Sequence, residues 1–219
     1  MSKGNQVKYI LNNILTEEEN NWDSKQRELF TMKELLKLDW LNDGVEFLVD
    51  KKFKKRLRDC YFNYKQNEIT SNDLPSDYYV IHEPFGSKSS PDYLFITPNG
   101  IFGIEDKSSK TGKIVWNTGT PGNNKIITYF DSKIRKVYIL TSYEYRWGHE
   151  IDIRYKKFTQ KIIKFGDEEF KKDFADDFNH DDVEFYARPM LNHKKKIMDI
   201  FDSGENNVNK ILNTYLGED

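Results

Sequence analysis

The chain has 219 residues, of which 37% are hydrophobic, 32% charged and 15% aromatic, so core-building side chains are too plentiful for a disordered chain and one domain with a full core is expected. A formal net charge of -2 and a pI near 6.1 lack the overall basic excess that advertises nucleic-acid binding. The sum hides segregation: Lys51, Lys52, Lys54, Lys55, Arg56 and Arg58 form one basic run, Arg154, Lys156, Lys157, Lys161 and Lys164 a second, and the acidic stretch from Asp167 to Glu184 offsets them.

Met1 to Ile10 lack the positive-then-apolar pattern of a signal peptide, and no stretch has the apolar length of a membrane span, so a cytoplasmic protein is expected. Residues 1 to about 70 read as helical. Thr16 and Glu19 have capping-box spacing, and an apolar-periodic run follows from Leu29 to Leu41. A second helix is expected from Asp43, with Val45, Leu48, Val49, Phe53, Leu57, Cys60 and Tyr64 on one stripe. Its lysines are either a solvated face or DNA contacts. Cys60 is the only cysteine, which excludes an internal disulfide and a cysteine-based zinc cluster.

From about residue 78 to 145 the character is β. Tyr78 to Ile81, Tyr93 to Ile96, Ile101 to Lys107, Ile126 to Phe130 and Lys136 to Tyr145 are rich in β-branched and aromatic residues, with turns at Pro98 to Gly100 and Asp131 to Lys133. A late strand is expected at Val183 to Leu191, and helices at Lys194 to Phe201 and Asn207 to Leu216. Neither repeats nor linkers interrupt this order.

Pro91 to Ile96, the turn Thr97-Pro98-Asn99-Gly100 and Ile101 to Lys107 read as a β-hairpin with a four-residue loop. If Ile96 faces Ile101, antiparallel counting sets Leu94 opposite Gly103 and Asp92 opposite Glu105, with Cβ atoms about 5 Å apart. Two carboxylates so close repel, and a hard divalent cation such as Mg²⁺ would relieve them. Lys107, two residues after Glu105, shares its face by strand alternation, whereas Asp106 turns to the other face. An ordinary surface ladder with Lys107 as counter-ion is the plainer alternative.

Asp92 preceded by Pro91, followed after a hairpin by Glu105-Asp106-Lys107, resembles the motif of the PD-(D/E)XK nuclease superfamily. The continuation Lys107-Ser108-Ser109-Lys110-Thr111-Gly112-Lys113, then Trp116-Asn117, Pro121 and the strand Ile126 to Phe130, resembles an extension found in type II restriction endonucleases. Gly44 to Val49 resembles the superfamily's glutamate-bearing helix, with Glu46 as its acid. Glu46 equally fits the N3 position of a helix capped at Asp43. One departure from the pattern is Asp106, where relatives carry a small or apolar residue.

The resemblance implies an α/β fold with a restriction-endonuclease-like core, a mixed central sheet flanked by helices, in one domain spanning residues 1–219. It implies a restriction-modification enzyme that hydrolyses double-stranded DNA at a specific site, leaving a 5′-phosphate and a 3′-hydroxyl. Asp92, Glu105 and the backbone carbonyl of Asp106 would hold Mg²⁺, and Lys107 would act on the attacking water, with Glu46 as a further catalytic candidate. A symmetric site suggests a homodimer. Candidates for DNA contact are Lys110, Lys113, Asn117, Asn123 and Asn124 around the Thr111 to Lys125 loop, and Arg188. Rivals are a non-specific repair or phage nuclease and a DNA-binding module that does not cut. Scattered histidines, the lack of a P-loop and the lack of a serine elbow argue against other hydrolytic chemistries.

Overall fold

Consecutive apolar residues, buried on both faces, place β3 (Tyr93–Thr97) and β4 (Gly100–Ser109) at the centre of a six-stranded mixed sheet. The computed structural model describes residues 1–16, 24–63, 69–87, 89–116, 125–141, 149–174, 176, 191–192 and 208–217. The other strands of this sheet are β1 (Leu41–Asp43), β2 (Tyr78–His82), β6 (Lys125–Asp131) and β7 (Lys136–Thr141). Their order is β1-β2-β3-β4-β6-β7. The β1–β2 and β4–β6 pairs are parallel and the other pairs antiparallel.

Strand alternation sends successive side chains to two separate cores. On one face Tyr93, Phe95, Phe102, Ile104 and Ile126 pack with α1 (Lys3–Thr16), α2 (Ser24–Leu35) and α5 (Val208–Leu216). On the other, Ile81, Leu94, Ile96 and Ile101 pack with Leu57 and Tyr61 of α3 (Lys51–Asn63). The fold is therefore α/β, with helices flanking a mixed sheet.

The chain divides into two compact units. The first comprises Met1–Ile114, Pro121–Arg146 and His193–Asp219 and contains the six-stranded sheet. The second comprises Val115–Thr120 and Trp147–Asn192. It contains α4 (His149–Asp173) and the short antiparallel pair β5 (Val115–Trp116) and β8 (Leu191–Asn192). Along α4 the basic residues Arg154, Lys157, Lys161 and Lys164 are exposed. The i,i+4 pairs Lys164–Glu168 at 3.5 Å and Lys171–Asp167 at 2.8 Å line the same helix.

Several expectations about the first 64 residues are corrected. Thr16 ends α1, so it is no N-cap, and Glu19 lies outside the described residues. The apolar run from Leu29 to Leu41 is not all helix. After Leu35 the backbone tightens into turns (Leu38 N–H to Leu35 carbonyl, 3.1 Å) and then extends as β1. No single helix starts at Asp43 either: Val45–Leu48 is a 3-10 turn, and α3 begins at Lys51. Its cap is Asp50, whose Oδ1 accepts the N–H of Lys52 at 2.8 Å and of Phe53 at 3.3 Å.

The expected strands at residues 78, 93, 101, 126 and 136 are present with bounds shifted by a few residues, the last described to Thr141. The hairpin loop is shorter than expected, because Thr97 pairs with Gly100 and leaves only Pro98 and Asn99 unpaired. Helix α4 was not foreseen. The expected helix at Lys194 to Phe201, and the expected late strand up to Met190, lie outside the described residues.

Candidate active site

The predicted hairpin register is the observed one: Ile96 pairs with Ile101, Leu94 with Gly103 and Tyr93 with Ile104. There the ladder stops. Continued by one residue it would set Asp92 against Glu105, and by two it would set Pro91 against Asp106. Proline has no N–H to offer a neighbouring strand. Asp92 compensates with its side chain, whose Oδ2 accepts the Asp106 N–H at 2.6 Å. Its own carbonyl accepts the Glu83 N–H at 2.7 Å. Asp92 is thus fixed to Glu83, just after β2, through its backbone and to β4 through its carboxylate.

Glu105 and Asp106 diverge as strand parity requires. The Glu105 side chain is 4% exposed in a cluster of polar groups. Lys107 Nζ contacts Glu105 Oε1, and Ser90 Oγ donates to Glu105 Oε2. Lys125 Nζ bonds Ser90 Oγ and lies 3.5 Å from Glu105 Oε2. Asp106 instead accepts a hydrogen bond from Tyr93 Oη at 3.1 Å on the opposite face. There the buried guanidinium of Arg27, itself 5.5 Å from the Phe130 ring, bears electrostatically on it.

The charges of the cluster are strongly coupled. Burial, with repulsion from Glu105 behind it, pushes the Asp92 carboxyl up to about 8. Burial also opposes ionisation of Glu105, but the ammonium groups of Lys125 and Lys107 outweigh it and hold that carboxyl low, at about 2. For Lys107 burial is outweighed by attraction to Glu105 and Asp92, and its value rises. For Lys125 burial wins and its value falls, against the pull of Glu105. Both lysines hold Glu105 ionised, while burial and the Glu105 charge outweigh the pull of Lys107 on Asp92.

That asymmetry is what a divalent cation would correct. Among the described residues no three His, Cys, Asp or Glu side chains form a ready-made metal cage. Two carboxylates with a backbone carbonyl, leaving positions for water and phosphate, nevertheless match the hard-oxygen preference of Mg²⁺. In a strand the N–H and C=O of one residue point to the same neighbour, so the Asp106 carbonyl faces the side from which Asp92 approaches. The residues fit the ion, provided Lys107 gives up Glu105 Oε1.

Ser90, Lys125 and Gly103 were not singled out for this cluster by sequence reasoning. Lys125 was the end of a loop suggested for base contacts; it is instead the first residue of β6, paired with Gly103 and 3% exposed. A Cβ on Gly103 would meet the Tyr61 hydroxyl and, at 2.8 Å, Pro91 Cβ, so glycine there is what lets these side chains close over the strand. A G-x-E alternation was the available signal.

Other sequence candidates are not gathered here. Glu46 is exposed in its 3-10 turn, and among the described residues no hydrogen bond or ion pair joins it to the cluster. Asp43 Oδ1 accepts the Val45 N–H at 3.1 Å, a local turn and not a helix cap. Lys110 is exposed and Lys113 half-buried just after β4. Asn117, Asn123, Asn124 and Arg188 lie outside the described residues. On α3, Lys51, Lys52, Lys55 and Arg58 are exposed, whereas Arg56 is tied to Asp73 by bonds of 2.8 and 2.6 Å. Comparison with protein-family models, curated proteins and solved structures gave no match.

Proposed function

We propose that this chain is a Mg²⁺-dependent DNA endonuclease similar to the type II restriction enzymes of the PD-(D/E)XK superfamily. Its core would be restriction-endonuclease-like, and it would act on double-stranded DNA as a homodimer. The observation that carries the reading is the convergence of Asp92, Glu105 and Lys107 at the point where the β3–β4 ladder ends. Two acids and a lysine so close inside a sheet are not what packing alone favours. Burying them costs several kcal/mol per ion.

In this reading Asp92, Glu105 and the Asp106 carbonyl would hold Mg²⁺, which would supply Lewis-acid chemistry at the phosphate. Asp92 is kept in place by the Asp106 N–H. Lys107, the more open of the two lysines beside Glu105 at 21% exposure, turns from Glu105 to the attacking water or a phosphate oxygen. There it stabilises charge that develops in the transition state.

A second reading has its own support. Both Glu105 oxygens already have partners among Lys107, Ser90 and Lys125, as a non-cleaving DNA-binding relative would require of a purely structural cluster. Digestion of a plasmid and of a phage genome in Mg²⁺, followed by sequencing of the ends, decides among the readings. Discrete fragments with 5′-phosphates support a site-specific enzyme. A smear supports a non-specific nuclease, and intact DNA with retained binding supports the module.

A further inference from the structure

We infer that Lys125 is a positioning residue, whose buried ammonium holds one oxygen of Glu105, directly and through the Ser90 hydroxyl, and leaves the other for Lys107 and the metal. The inference rests on the nuclease reading for its purpose, but its geometry stands independently. Two lysines reach one carboxylate, and they are not equivalent. The Lys107 side chain is 21% exposed, so it can meet a substrate. The Lys125 side chain is 3% exposed, so it cannot.

The fold makes specific provision for this cation. Lys125 pairs with Gly103 across the parallel β4–β6 ladder. With no side chain on Gly103, Tyr61 closes over the strand, and Lys125 Nζ lies 5.6 Å from the centre of its ring. The ammonium therefore has an aromatic face, a hydroxyl and a carboxylate around it. Nζ reaches Glu105 Oε2, the same oxygen that accepts from Ser90, while Oε1 belongs to Lys107. If Lys107 is to leave Glu105 during the reaction, a second cation must keep that carboxylate ionised and pointed. Partners that orient a metal-holding group typically matter by about 10–100-fold in affinity or activity.

The test uses Mn²⁺ titration of the DNA-free full-length protein alongside Mg²⁺-dependent cleavage. Removing a positive charge that merely sits nearby should tighten Mn²⁺ binding. Removing a positioning residue should weaken it. Lys125→Met is expected to bind Mn²⁺ about tenfold more weakly and to lower kcat about a hundredfold with little change in KM for DNA. Lys125→Arg, which keeps a cationic donor, should recover part of both. Ser90→Ala, a small change, should shift Mn²⁺ affinity in the same direction if Lys125→Met does not fold. Folded variants that bind Mn²⁺ as tightly as wild type or tighter overturn the inference. A wild-type protein that binds Mn²⁺ but never cleaves overturns the nuclease reading alone, and the Mn²⁺ shift still decides the role of Lys125. Wild type that neither binds Mn²⁺ nor cleaves overturns both.

Discussion

Glu105 and Asp106 are adjacent carboxylates on one strand, and the two faces of β4 treat them differently. Glu105 meets Lys107, Lys125 and Ser90, with Asp92 close enough to repel it. Asp106 meets the Tyr93 hydroxyl and the field of a buried arginine. On the second face one acid lies beside one base among aromatic rings, and the Arg27 Nε and Nη2 atoms find no hydrogen-bond acceptor among the described residues. On the first, two acids compete for cations and one is left with its carboxyl raised. Asp92 and Glu105 have two lysines as Asp106 has one arginine, so placement separates the faces: both lysines reach Glu105, while burial with the Glu105 charge raises the Asp92 carboxyl.

The largest expected effect falls on the first face. If the lysine serves the transition state as proposed, Lys107→Ala should lower cleavage about a thousandfold while leaving DNA affinity in Ca²⁺ and the folded state nearly unchanged. Single-turnover rates with a circular-dichroism melt check it. Near-normal cleavage would remove this face from the chemistry.

Next comes the direct contrast. Glu105→Gln should lose about a hundredfold or more in rate, and Asp106→Asn should lose less, because only the Glu105 side chain is aimed at the cluster. The Asp106→Asn cost should appear in stability instead, at about 1–3 kcal/mol in urea unfolding, as the Arg27 and Tyr93 side loses its anion. The reverse pattern would make the Arg27 face the functional one.

The pH dependence sharpens the asymmetry within the first face. The Asp92 carboxyl has a raised folded-state value, so its contribution is fully present below the ordinary carboxylate value of 3.8 and is lost as pH rises towards about 8. Glu105, whose value is depressed, contributes above the ordinary 4.5 and loses that contribution as pH falls towards about 2. Metal-free protein should therefore show a melting temperature that declines with pH across the Asp92 window. Asp92→Asn should flatten that decline, and a melt series in which it does not would place the repulsion elsewhere.

The smallest effect concerns α3, which packs on the Glu105 face through Leu57 and Tyr61. Alanine at Lys51, Lys52, Lys54 and Lys55 together should barely change the dependence of DNA binding on salt. Each phosphate contact contributes a log–log slope of about -0.9. Filter binding in Ca²⁺ over a salt series measures it, and a loss of several units of slope would show that α3 lines the DNA.

The β3–β4 hairpin was legible from sequence because its determinants are local. Pro98, Asn99 and Gly100 turn the chain, and so short a loop leaves a single register for the apolar strands on either side. Helix α4 was not legible: its apolar positions are diluted by charge, and the run read as a basic stretch followed by an acidic one. Strand β1 read as helix because three residues carry no period, and only its parallel partner Tyr78–Val80 makes them extended. The same reason hid Lys125. A parallel pair needs a long crossover, so the chain between β4 and β6 says nothing local about which residues meet. Sequence alone determined that Asp92, Glu105 and Lys107 share a face, through spacing and alternation. Only the tertiary structure decided that a second, buried lysine reaches the same glutamate, because non-local pairing is chosen by packing of the whole sheet against its helices.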